Sequence, residues 1–324
     1  MKKCRLCDNE KISDYYELDN DRGMLYICDK CGFVQMMVDP VDELDSIASE
    51  ESICQDVDRN TSLQDMKINE GIGISGPMSR MTHVLQQDST RITQTITDMV
   101  NESCSSFDKL NFIDVGSGYG QHSFRLKEKF PNWNFHLLEI SKERMKSGIK
   151  SFDADINKFT FHHNILDDNF SNDNIEKFDI SFAFHVLEHV YDIKTFIRNM
   201  FEITKRGGIM ILELPNEDDD LSVISDNYRK IIHFPAHVSH FTKSTLSRLI
   251  QESGIREKVE IDFIPTQRYG FFNYIDWTRH NEKNKVLSDD YIPRKNPSWI
   301  EQQWLQTKID NFTTDTITMI VKKL

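Results

Sequence analysis

Cys4-x-x-Cys7 and Cys28-x-x-Cys31 place four soft sulfur donors in two pairs, with twenty residues between them. A tetrahedral Zn²⁺ takes four such ligands at about 2.3 Å. A CxxC turn aims two thiolates at one point, and a hairpin brings a second pair round to face them. The intervening residues supply that hairpin: Tyr15, Tyr16, Leu18, Leu25, Tyr26 and Ile27 favour strands, and Asp19-Asn20-Asp21-Arg22-Gly23 favours the turn. The spacing predicts a zinc ribbon on Cys4, Cys7, Cys28 and Cys31. Iron in the same cage and a redox dithiol pair are the other chemistries open to it. Such a ribbon either staples a segment too small to build its own core or borders a substrate site. Cys54 and Cys104 read as ordinary thiols.

A second group follows a short apolar run, Phe112-Ile113-Asp114-Val115, which reads as a buried parallel strand. Gly116-Ser117-Gly118-Tyr119-Gly120 comes next, and then a helical pattern through Phe124 and Leu126. Glycines allow a tight turn and a close backbone approach to a ligand, and the helix N-terminus offers N–H groups to an acidic one. The order Asp114-x-Gly116-x-Gly118-x-Gly120 differs from the GxGxxG of dinucleotide sites. A second strand, Phe135 to Ile140, carries Glu139 25 residues beyond Asp114.

The third group is histidine-rich: His233-Phe234-Pro235-Ala236-His237-Val238-Ser239-His240. It lies beyond a later strand, at the carboxyl end of a sheet, where open α/β folds bind ligands. His237 leads as a general base, followed by His240, then by His185 or His189. Catalysis by proximity and desolvation alone is the remaining option.

The elements that would position these groups alternate strand and helix. Strands are expected near Phe161 and over 178–184, 209–216, 259–264 and 316–321, with helices over 79–100, 195–203 and 243–253. Lys205-Arg206-Gly207-Gly208 reads as a helix stop, Glu188 and His189 as the opening of a helix, and Thr242 or Ser244 as a cap. The chain divides into a ribbon over 1–40, a helical lead-in or lid over 41–105 containing the flexible 71–77, and a main domain over 106–324 with an insertion around 270–312. The aromatics of 269–277 read as core beneath that insertion, or else as a sugar-stacking wall. Lys+Arg 39 against Asp+Glu 52 leaves a net charge of −13, and basic residues cluster only in pairs such as Lys322-Lys323. That field repels phosphate backbones and argues against nucleic acid as partner. No apolar run approaches the roughly 18 residues of a membrane span, and the polar MKKCRLCDNE start is no signal peptide. A cytoplasmic protein is expected.

The glycine loop with its two acids resembles the class I S-adenosylmethionine (SAM) methyltransferases. The resemblance continues through His185-Val186-Leu187-Glu188-His189-Val190 and the Gly207-Gly208, strand, Pro215-Asn216 sequence. With the ribbon and His237-Val238-Ser239-His240-Phe241-Thr242 it extends to bacterial sugar methyltransferases carrying an N-terminal zinc-binding domain. It implies a Rossmann-like seven-stranded sheet whose last strand is antiparallel, SAM as cofactor, and a sugar acceptor that is nucleotide-linked or part of a surface polysaccharide. Asp114, Gly116, Gly118 and Gly120 would then face the methionine half, and Glu139 and Ile140 the ribose. Asn164 (or Asp167) and Ile165 would face the adenine, and His185 the sulfonium. Relatives that methylate carbon carry an acid where this chain has Ala236, and extend further beyond Gly254, so the resemblance implies O-methylation; C- or N-methylation and a non-catalytic module are the alternatives.

Overall fold

The computed structural model describes residues 3–18, 23–37, 88–100, 108–233, 235–280 and 296–324. The 71–77 segment, most of the lead-in and the centre of the 270–312 insertion lie outside these residues. The chain forms two compact units, one from 1–48, 185–198 and 211–322, the other from 49–184, 199–210 and 323–324.

The second unit holds the glycine loop. Its strands β4 (Asn111–Val115), β5 (Asn134–Leu138), β6 (Phe159–His162) and β7 (Phe178–Phe184) are short and mostly apolar, and β4 and β7, inside the sheet, are almost wholly buried, as expected of parallel strands covered on both faces. Phe112 pairs with Phe135 on one side and Ile180 on the other, and all three are essentially inaccessible. β8 (Thr204–Pro215) runs through both units. The expected helix stop at 205–208 is instead its first part. Lys205 Nζ sits 2.9 and 2.8 Å from the Asp179 oxygens, and Gly208 lies so near the Asp179 carbonyl that a Cβ would come within 2.8 Å of it. This pairing draws the chain into the sheet directly after the helix Ile193–Ile203. Adding β10 (Val259–Thr266) and β11 (Thr316–Lys323), the sheet order is β10-β11-β8-β7-β4-β5-β6, with β11 antiparallel. The chain reverses its direction of growth between β4 and β7, the point at which open sheets bind ligands.

In the first unit, β1 (Ile12–Glu17), β2 (Met24–Cys28) and β3 (Val34–Met36) form the expected ribbon hairpin and a third strand. A fourth strand, β9 (Ser239–His240), completes the sheet, with Val34 opposite His240 and Gln35 opposite Ser239. Leu18, Leu25, Val34, Met36 and Val238 form its core. The histidine segment therefore belongs to the ribbon's own sheet. Thr242 caps the helix Lys243–Glu252 through a capping box with Thr245, and Gly254 ends it at φ 75°. Within 269–277, Trp277 is buried against Tyr228 and Leu221, the core role expected of it.

Gly148, inside the helix Lys142–Ser151, is what lets that helix lie on the glycine loop: a Cβ there would meet the Tyr119 carbonyl oxygen at 1.8 Å. Gly148→Ala is expected to cost about 1–3 kcal/mol of stability by overpacking. Denaturant unfolding checks this, and a loss under about 0.5 kcal/mol would show that the loop yields freely.

Candidate functional site

The glycine loop begins where β4 ends. Gly116, Gly118 and Gly120 take φ of 68, 55 and 77°, a region costly for side-chain-bearing residues. A Cβ on Gly120 would strike Phe124 and Leu137, whereas one on Gly118 would meet nothing within 4 Å. Gly120 thus serves packing, and Gly118 presents open backbone. Asp114 is buried, and its Oδ2 accepts from Ser123 Oγ at 2.7 Å. Burial pushes its carboxyl up to about 7, with Ser123 opposing and the charge of Glu139 adding to the shift. Glu139 accepts from the Gly118 N–H at 2.8 Å and the Ser141 N–H at 2.9 Å. The two acids therefore share one loop but differ in state. One is dry and close to neutral pH; the other is held by backbone donors.

Ile140 and Ile165 are exposed just beyond the ends of adjacent strands β5 and β6. Asn164 Oδ1 accepts from the Ile165 N–H at 2.9 Å, and Asp167 caps the helix Asp168–Asp173 by accepting from the Phe170 N–H at 2.7 Å. Both side chains are engaged in local turns.

The four cysteine sulfurs converge in the other unit. Cys4–Cys31 and Cys7–Cys28 are 3.6 Å apart and Cys7–Cys31 3.5 Å. Tetrahedral Zn–S bonds of about 2.3 Å would separate sulfurs by about 3.8 Å, so the set fits zinc. Asn9 Nδ2 points at Cys28 Sγ, 3.6 Å away. Arg5, inside the first CxxC, donates to the Tyr191 carbonyl at 2.9 Å, to the Val190 carbonyl at 3.4 Å and to the Val238 carbonyl, and its guanidinium stacks on Tyr191.

Those carbonyls adjoin two Glu–His–His groups in the same unit. In the first, Glu188, His189 and His237 offer ligand atoms within 4.8 Å of one another. Glu188 and His189 lie in a single turn of 3₁₀ helix, Leu187–His189, rather than opening an α-helix. His189 Nδ1 donates to the Ala236 carbonyl at 3.0 Å and His237 Nδ1 to the Ile232 carbonyl at 2.8 Å. A carbonyl only accepts, so each ring carries its hydrogen on Nδ1 and its lone pair on Nε2. Burial pushes His237 down to about 3. Burial would raise Glu188, but His185 outweighs it, with help from His189 and His237, and holds it at about 2. His185, at φ 51° directly after β7, donates Nδ1–H to Glu188 Oε1 at 2.8 Å and accepts from Arg268 Nη1 at 2.8 Å. Both its nitrogens are engaged.

In the second group, His233 Nε2 lies 3.0 Å from both Glu217 oxygens, and His240 Nδ1 lies 3.4 Å from Oε2. Tyr15 donates its hydroxyl to Oε1 at 2.9 Å. Burial opposes ionisation of Glu217, yet His233 and then His240 hold its carboxyl far below the usual range. His233 Nδ1 and His240 Nε2 are buried without a hydrogen-bond partner among the described residues. The sequence singled out His237, His240 and His185 but not Glu188, Glu217, Arg5 or Arg268 as their partners. Only the i,i+3 spacing of His185 and Glu188 was a local signal for one of these pairings.

Residues 113–210 match the model of a family described as a methyltransferase domain. No curated protein sequence matches the chain. Among solved structures, a SAM-dependent methyltransferase from Archaeoglobus fulgidus is similar at 13% identity and TM-score 0.44, over 72% of this chain and 94% of that one. A SAM-dependent methyltransferase from Thermotoga maritima gives 13% and 0.46, over 76% and 94%. The plantazolicin methyltransferase BpumL, in complex with S-adenosylhomocysteine, gives 13% and 0.46, over 87% and 93%. The sheet order, with its antiparallel last strand, is that of the class I methyltransferase fold. Among the described residues no helix is long and apolar enough to cross a membrane.

The raised pKa of Asp114 makes two variants informative. Ser123→Ala removes a donor to the carboxylate and should raise the pKa further; Glu139→Gln removes a neighbouring charge and should lower it. Because the folded pKa lies above the 3.8 of a free aspartate, the neutral acid is the form the fold favours. Its contribution to stability is complete below that value and is lost as pH rises through about 7. Carboxyl-carbon NMR titration of the wild type and both variants checks the direction of each shift.

Proposed function

We propose that this chain transfers the methyl group of SAM to a sugar hydroxyl, with Asp114 and Glu139 holding the cofactor and His240 taking the proton. Bound SAM supplies a methyl group on a sulfonium, which passes in line to the attacking oxygen as the sulfur–carbon bond breaks.

The observation that carries this reading is the pair of unlike acids around the open backbone of Gly118, at the switch point of the sheet. Asp114, buried and costly to ionise, is suited to the cationic amino group of the methionine half. Glu139, with two acceptor oxygens, suits two vicinal hydroxyls. The exposed Ile140 and Ile165 offer apolar surface to the adenine.

On the acceptor side, His240 is oriented by Glu217 through Nδ1, which leaves Nε2 as the basic nitrogen. A carboxylate that fixes the tautomer of a histidine is the usual support for a general base. His237 led on sequence, but its lone pair belongs to the Glu188 group. Ala236 supplies only a main-chain carbonyl where a carbon-methylating relative would have an acid, which favours a hydroxyl as acceptor. The carbohydrate assignment is supported by a groove of about 650 Å³ lined by Tyr274, Trp299 and Trp304 together with Asp220, Gln303 and Lys308. Aromatic faces beside charged hydrogen-bonding groups suit the apolar face and the hydroxyls of a sugar. The cysteine cage is assigned to a structural Zn²⁺.

Calorimetry with SAM tests the cofactor site: Asp114→Asn and Glu139→Gln should each weaken binding by at least about tenfold, or about 1.4 kcal/mol. Unchanged affinity in both would remove the assignment. His240→Ala should lower turnover on a responsive sugar by about 10²–10⁴-fold while SAM affinity holds, and Trp299→Ala should raise KM for that sugar. Metal analysis should find zinc that Cys28→Ser releases.

A further inference from the structure

We propose that Glu188, His189 and His237 form a second metal site, distinct from the cysteine cage, that binds a divalent first-row transition cation. Their ligand atoms already lie within 4.8 Å of one another. Each imidazole donates its Nδ1–H to a main-chain carbonyl, Ala236 for His189 and Ile232 for His237. This is how proteins prepare histidine ligands: the outer hydrogen bond fixes the ring and leaves the Nε2 lone pair for the ion. Glu188 Oε1 is held by His185 Nδ1–H, while Oε2 is buried with no hydrogen-bond partner among the described residues. A buried carboxylate oxygen without a donor is costly, and a cation would satisfy it.

The neighbouring Glu217 group has the same composition and the opposite polarity. His233 donates Nε2–H to its carboxylate and His240 Nδ1 lies 3.4 Å from it, and their outer nitrogens have no carbonyl behind them. In that group the carboxylate is already met by N–H and O–H donors, and it carries no metal assignment.

Two imidazoles and one carboxylate suit Zn²⁺, Mn²⁺, Fe²⁺ or Co²⁺, and disfavour Mg²⁺ and Ca²⁺, which prefer oxygen donors throughout. Three protein ligands leave a coordination position open. His189 and His237 are only partly buried, so the site is not sealed. An oxygen donor there would be acidified, as metal-bound water is. In the hydroxyl-methylating reading that donor is the acceptor hydroxyl. This role rests on that reading, whereas the site itself does not.

The test uses the full chain with its cysteine site zinc-loaded, and Mn²⁺ as a probe that thiolates bind poorly. Titration followed by electron paramagnetic resonance should show one Mn²⁺ per chain. Glu188→Gln, His189→Ala and His237→Gln should each weaken binding by well over tenfold, and His185→Ala, acting through Glu188, by about 10–100-fold. His233→Ala should leave it unchanged. Retention of the cysteine-bound zinc and of the unfolding midpoint shows that each variant is folded. Mn²⁺ and Co²⁺ binding no tighter to the wild type than to folded Glu188→Gln would overturn the site, as would equal losses in His233→Ala and His189→Ala. Metal binding that persists while SAM binding is absent would sink the methyl-transfer reading and leave the site standing. Turnover unchanged on removal of the metal would sink only its role in acidifying the acceptor.

Discussion

Buried backbone carbonyls need donors, and one side chain, Arg5, reaches three of them, at Val190, Tyr191 and Val238; Ser239 Oγ shares the Val190 carbonyl at 3.1 Å and the Met36 N–H the Val238 carbonyl at 3.0 Å. The position of Arg5 in the sequence matters more than its charge. Arg5 sits between Cys4 and Leu6, so its stem is aimed only when the first cysteine knuckle is closed. Two of its carbonyls belong to the residues directly after His189 and His237. Gln35 extends the same clamp, accepting from the Arg5 N–H at 2.9 Å and donating to the Lys3 carbonyl at 3.0 Å. β9 adds a strand of histidine segment to the ribbon sheet. The ribbon is more than a staple of its own segment, since its sheet takes in β9 and its first CxxC reaches carbonyls beside the histidines. The ribbon sheet carries His240, and its cysteine loop fixes the turns that carry His189 and His237.

In the glycine-loop unit the constraint is steric rather than electrostatic. Parallel strands buried on both faces fix where β4 and β5 end, and the loop must turn between them with its backbone left open. Gly120 and Gly148 are compelled by packing: side chains would strike Phe124 at the first and the Tyr119 carbonyl at the second. Gly118 is not, since its surroundings are empty. A glycine kept where no protein atom requires it is best explained by its positive φ together with close ligand approach. The same loop sets the contrast between the acids, because the Gly118 N–H that stabilises Glu139 is unavailable to Asp114, whose one side-chain donor is the Ser123 hydroxyl.

What could be read from the sequence follows from the range of the interactions. The cysteine cage and the glycine loop are local: a fixed spacing brings two thiolates together, and a strand, three glycines and an acid define the loop within ten residues. The sheet was legible too, because each strand is a short apolar run between turn signals, apart from the start of β8. There two glycines and two basic residues suggest a stop, and Asp179, 26 residues away, overrides them. Histidine partners were not legible, because pairing spans long separations. His189 reaches Ala236 across 47 residues, His185 reaches Arg268 across 83, and Arg5 reaches Tyr191 across 186. Glu217 and Gly148 drew no reading, because neither residue type nor spacing announced their roles.

The two Glu–His–His groups show why a residue inventory does not decide chemistry. Each has one carboxylate and two imidazoles in the same unit, and the two are joined through rings, His237 to His240 at 6.3 Å and His240 to His233 at 4.7 Å. What separates them is which nitrogen carries the hydrogen. Where backbone carbonyls take Nδ1–H, the lone pair is left on Nε2, the arrangement that prepares an imidazole for a cation. Where the carboxylate itself takes the N–H, its charge is already met, and the basic nitrogens on the far side of the rings stay buried without a hydrogen-bond partner among the described residues. The Ala236 and Ile232 carbonyls, main-chain groups that carry no side-chain signature, thus set the hydrogen of His189 and His237 on Nδ1, while Glu217 faces Nε2 of His233 and Nδ1 of His240.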